Sequence, residues 1–94
     1  MIPVDFPLPT GALLDPTASN ANLLQIYRLA GTTDEVTAFY QDTPGWGLED
    51  STTDGTTVMV VVANGTETIS IVAEPLETTA GIDLTLLTVM PFGG

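Results

Sequence analysis

The sequence predicts an α+β domain: an antiparallel β-sheet in the order β-β-α-β-β-β, with one helix packed on one face in two layers. Three observations predict it. Residues 31–46 (GTTDEVTAFYQDTPGW) open with helix-start chemistry and carry a single apolar stripe. Two alternating runs, TTVMVVVA and TETISIVAE, flank Asn64-Gly65, a strong hairpin signal. A third run, residues 82–90 (IDLTLLTVM), follows at strand length.

The elements follow in order. Residues 1–10 hold prolines at positions 3, 7 and 9. Proline lacks a backbone N–H and holds its predecessor extended, so this stretch reads as an extended lead-in or linker end. Residues 11–92 then form a single domain, with residues 11–15 (GALLD) a short strand. Turn-forming residues 16–20 (PTASN) separate it from residues 23–30 (LLQIYRLA). Alternation there puts Tyr27 and Leu29 on one face and Ile26 and Arg28 on the other.

Gly31 ends that strand. Thr32 and Glu35 stand at capping-box spacing, and Asp34 and Glu35 place negative charge where the helix dipole favours it. Val36, Phe39 and Tyr40 recur at i, i+3 and i+4, with Phe39 expected to be the most buried. Pro44-Gly45 ends the helix, and Trp46 is expected to pack beside its terminus. A polar stretch, residues 49–55 (EDSTTDG), reads as a loop. A two-residue turn at Asn64-Gly65 sets Ala63 opposite Thr66 and Val60 opposite Ile69. One face then collects Val58, Val60, Val62, Ile69 and Ile71 as core. The other carries Met59, Val61 and Val72, with Arg28 and Ile26 on the same side because the helix needs Tyr27 and Leu29, joined by Leu87 and Val89 if Ile82, Leu84 and Leu86 point inward. Met59, Val61, Val72, Leu87 and Val89 are the candidate interface, for a protein partner or a second copy of the chain.

Composition narrows the function. The 94 residues carry 12 acidic side chains against one basic residue, Arg28, for a formal net charge of −11. Nucleic acid is bound through Lys and Arg, so it is excluded as a partner. Arg28 is expected to form a local ion pair. With no Cys and no His, disulfides, thiolate chemistry, Cys-type metal sites and the commonest general base are excluded. No apolar run approaches the ~18 residues of a membrane span, so these residues do not insert in a bilayer directly.

Residues 50–55 (DSTTDG) echo the start of a calcium loop, but position 12 is Val61, where an EF-hand needs a bidentate Glu. What survives is a low-affinity surface calcium candidate at Glu49, Asp50 and Asp54. The serines have no His or Lys to activate them, and no catalytic residue or cofactor is expected.

Part of the chain follows a recognisable pattern: Pro7, Pro9, Gly11 and Ala12, then Tyr27, Gly31, Asp34, Glu35, Val36, Phe39 and Tyr40, then Gly45 and Trp46. It resembles a group of small bacterial cell-envelope, lipoprotein-associated α+β domains with a PxPxGA…YxxxG(S/T)xDEVxxFY…GW signature. The resemblance covers about the first half of the chain. This sequence departs from it between Phe-Tyr and Gly-Trp, where only QDTP intervenes, so the helix should be about a turn shorter. The resemblance implies a fold and an envelope or extracellular setting, and it carries over no catalytic residues. Residues 1–10 lack the basic start and apolar core of a signal peptide, so such a setting needs a targeting segment outside them. The leading expectation is a non-enzymatic accessory domain acting through protein contacts. The alternative is a small hydrolase, or a ligand- or calcium-binding domain, using residues 49–54 and Trp46.

Overall fold

In the computed structural model, which describes residues 2–3, 6–17, 19–20, 23–76 and 84–92, the alternating runs build one sheet. Its strands are β1 (Leu13–Leu14), β2 (Gln25–Ala30), β3 (Gly47–Asp54), β4 (Thr57–Ala63), β5 (Thr68–Pro75) and β6 (Leu84–Pro91). The one helix among the described residues, α1 (Thr33–Gln41), joins β2 to β3. The strands lie in the order β1-β2-β6-β5-β4-β3, and every neighbouring pair is antiparallel. The helix packs against β3, β4 and β5. The α+β class and the helix-on-sheet arrangement are as the sequence predicts, with one strand more.

That strand is β3. Its sequence, GLEDSTTD, has no apolar alternation because all eight residues are exposed at a sheet edge. The strand is visible only through its β-branched Thr52 and Thr53. A two-residue hairpin connection lies after β3, at Gly55-Thr56 between the paired Asp54 and Thr57. Gly55 takes φ +63, a conformation that other residues adopt only with strain.

The Asn64-Gly65 connection is longer than two residues. The Asn64 side-chain oxygen accepts hydrogen bonds from the Thr66 and Glu67 amides at 2.9 and 2.8 Å. Those two residues leave the ladder, and Ala63 pairs with Thr68 instead of Thr66. Val60 therefore faces Ile71 and Val62 faces Ile69. The register moves by two, and a shift of two preserves which face each side chain occupies. Val58, Val60, Val62, Ile69 and Ile71 are all in the core as predicted.

The helix departs from its expected details at both ends. Thr32 is the N-cap residue in an extended conformation, but its hydroxyl makes no capping hydrogen bond. The Glu35 amide is satisfied by the Thr32 carbonyl oxygen at 3.2 Å. Val36 and Tyr40 are fully buried, whereas Phe39 is half-buried and sets its ring edge-on to Tyr40 at 4.9 Å. The stripe of the helix is therefore centred on Val36–Tyr40, the i, i+4 pair, and not on Phe39. At the other end, the Thr43 hydroxyl donates to the Phe39 carbonyl oxygen at 2.6 Å.

The N-terminal segment belongs to the domain. Ile2 and Phe6 are buried in the same core as Val36 and Tyr40. Phe6 stacks on Tyr40 with centroids 5.9 Å apart, and Trp46 meets Phe6 edge-on at 5.0 Å. Proline keeps this segment out of the sheet, but its apolar side chains complete the layer that the short helix leaves unfinished. A nine-residue helix spans only about 13 Å, too little to cover six strands.

Candidate functional site

Antiparallel pairing places cross-strand partners on one face, so the registers assign both surfaces of the sheet. On the helix side, Tyr27 pairs with Leu87, Leu87 with Ala73 and Ala73 with Val58. Val89 pairs with Ile71 on the same side. Leu87 and Val89 are fully buried members of the core, which corrects their assignment to the outer candidate interface. In the doubled Leu86-Leu87 it is Leu87 that points inward, and Leu84 and Leu86 take the outer face. Ile82 lies outside the described residues.

The outer face is read off in rows. One runs Thr52, Met59, Val72, Thr88, Ile26 across five strands. A second runs Asp50, Val61, Ser70, Met90, and a third Glu74, Leu86, Arg28, Leu13. Ile26, Met59, Val72 and Leu86 are half-buried, and Met90 is exposed. Val61 is only 3% exposed and contributes little to the outer surface. Among the described residues, the helix and the buried N-terminal side chains all sit on the other side. Of the sequence-predicted interface, Met59, Val61 and Val72 share this surface; Ile26, Leu86 and Met90 extend it.

Arg28 stands on this face between Leu86 and Leu13, with Glu74 one strand beyond Leu86. Its directly paired neighbours are aliphatic, and Asp15 borders the same shallow concavity as Arg28.

The acidic candidate does not assemble. Glu49, Asp50 and Asp54 are strung along the extended β3, and Asp54 lies four residues, or about 13 Å, beyond Asp50. No group of three or more His, Cys, Asp or Glu side chains converges on one point among the described residues. Asp50 instead accepts a hydrogen bond from the Ser51 amide at 2.9 Å. Trp46 is packed against Phe6 as part of the core margin. A cleft of about 360 Å³ opens at the start of α1, lined by Thr32, Thr33, Asp34, Thr53, Leu76 and Thr85 among others. Glu49, Asp50 and Trp46 do not border it.

Tyr40 is the titratable group most altered by the fold. Its hydroxyl donates to the Pro7 carbonyl oxygen at 2.9 Å. Burial pushes its phenol well above the ordinary value of 10.0, and the neighbouring Tyr27 adds to the rise. It therefore stays neutral and structural. No helix among the described residues is long and apolar enough to cross a membrane. Among the described residues, the fold is a two-layer α+β domain in which the helix and the buried N-terminal side chains cover one face of the sheet. Comparison with protein-family models, curated proteins and solved structures gives no match.

Proposed function

We propose that this is a non-enzymatic accessory domain of the cell envelope or extracellular space that acts through protein contacts, using the outer face of its sheet. One observation carries the reading: Ile26, Met59, Val72 and Leu86 gather in and beside the row Met59, Val72, Thr88, Ile26, opposite the layer that covers the sheet among the described residues. A contiguous apolar patch on a small domain characteristically marks a contact surface. The side chains that suggest catalysis in the sequence have structural work instead, Trp46 on Phe6 and Asp50 on the Ser51 amide. The envelope setting is supported by the pattern that ends in Phe39-Tyr40 and Gly45-Trp46.

The partner is a different protein rather than a second copy. Two chains of net charge −11 repel at close approach, and Asp50 and Glu74 stand on the face itself. Light scattering should show a monomer at physiological salt. A photo-crosslinking residue in place of Met59 should capture a partner in envelope extracts, whereas one in place of the exposed helix residue Ala38 should not. Equal capture from both positions, or none from position 59, would overturn the reading. Val72→Glu, at a half-buried site, should abolish capture without unfolding the domain.

A further inference from the structure

The two edges of the sheet differ. On one side β2 is shielded in part by β1, two residues long, with the Asp15 amide also donating to the Ile26 carbonyl oxygen at 2.8 Å. On the other side β3 runs for eight residues, roughly 26 Å, with every residue exposed and β4 as its one strand partner among the described residues. In an antiparallel ladder alternate residues of an edge strand turn their N–H and C=O groups away from the sheet. Along β3 the ladder is regular over residues 50–54, which pair with residues 61–57, and it is interrupted by a register shift between Leu48 and Asp50. Over these five residues β3 is held straight by its neighbour and turns alternate backbone groups outward, and the Ser51 amide is already held by the Asp50 side chain at 2.9 Å.

The side chains of that stretch define what suits it. Asp50, Thr52 and Asp54 stand on the outer face, in line with Val61, Met59 and Thr57, while Ser51 and Thr53 face the helix side. A second copy of β3 would set these carboxylates against their like, and the one basic residue of the chain, Arg28, lies on β2 near the opposite edge. Like charges directly across a strand pair are destabilising and opposite charges favourable. The two carboxylates are four residues apart on one face, with Thr52 and the Met59 row between them.

From this we infer that the β3 edge binds an extended segment of a basic partner protein as a seventh strand, reading the pattern basic-x-aliphatic-x-basic on its outer-facing side chains. Backbone hydrogen bonds supply the affinity, and Asp50 and Asp54 select Lys or Arg at the first and fifth positions. The inference rests on the reading of the domain as one that works through protein contacts, and it adds an edge and a sequence preference to the face proposed above.

The test uses the capped peptide Thr-Lys-Thr-Val-Thr-Lys-Thr, titrated into the labelled domain and followed by amide shifts and hydrogen exchange. Shifts should centre on residues 50–54, with new exchange protection at the outward amides. Asp50→Asn and Asp54→Asn should each weaken binding about two- to fivefold. Methylating the backbone nitrogens of alternate peptide residues keeps every charge but removes the pairing, and should weaken binding about tenfold or more. Equal binding by the methylated peptide would reduce the effect to charge attraction and overturn the inference. So would the absence of shifts at β3 with millimolar peptide. Shifts confined to Ile26, Val72 and Leu86 would overturn the edge site while supporting the face, and the cross-linking from position 59 tests the face independently.

Discussion

The hydroxyl of Tyr40 donates a 2.9 Å hydrogen bond to the carbonyl oxygen of Pro7, 33 positions earlier in the chain. Pro7 offers only an acceptor, and the buried phenol offers a donor that needs one. The bond fastens the N-terminal segment across the helix at the point where Phe6 stacks on the same ring. Tyr40→Phe keeps the stacking and removes the bond, so it should cost about 1 kcal/mol at neutral pH in a denaturant melt.

The same residue sets an alkaline limit. Its folded pKa is raised above the ordinary 10.0 by burial, so above that pH the unfolded state loses a proton that the folded state keeps. Stability is fully present below pH 10 and falls as pH rises towards the folded pKa. Wild type should lose stability steadily above pH 10, and Tyr40→Phe should flatten that slope even though it is weaker at pH 7. Parallel slopes for the two proteins would show that Tyr40 is not responsible.

Phe6 is 7% exposed and touches two aromatic rings, whereas Phe39 is half-buried at the margin. Phe6→Ala should cost about 3–5 kcal/mol, in the range for buried aromatics. Phe39→Ala should cost less. Comparing their midpoints in urea at equal slope decides the order.

Gly31 has φ +144, and a Cβ there would meet the carboxylate of Glu35. The carboxylate is at the end of a flexible, exposed side chain and can move away; the backbone angle cannot change so easily. Gly31→Ala should therefore cost about 1–3 kcal/mol, and the cost should persist in a Glu35→Ala background. A penalty that vanishes in the double variant would assign it to the side-chain collision.

With a net charge of −11, the folded surface repels itself, and added ions screen that repulsion. The melting temperature should rise with NaCl over the first few hundred millimolar. A steady fall would count against this.

Much of the fold was legible because side-chain period is robust to error in register. The sequence reading set Val60 opposite Ile69, while the protein sets it opposite Ile71. Both choices put these residues in the core, since faces repeat every two residues. Three features were not legible. Edge strand β3 is wetted on both faces, so the alternation that announces a strand never develops. Leu86-Leu87 offers two equal candidates for the inward position, and only the pairing of Leu87 with Tyr27 and Ala73 decides between them. The burial of Ile2 and Phe6 depends on the helix being too short to cover the sheet, which is a property of the assembled layers. The outer face was partly foreseen through Met59, Val61, Val72 and Ile26, but its extension by Leu86 and Met90 needed the position of β6.

That position has a consequence for how the protein is made. Of the six described strands β6 is made last, and it is inserted between β2 and β5, strands synthesised far apart in time. Until residue 91 emerges, β3, β4 and β5 have only a meander to form, and β2 waits with no partner but the two residues of β1. The nascent chain therefore carries exposed strand edges throughout its synthesis, and closure of the sheet is a single late, long-range event. Folding should be correspondingly slow for so small a domain.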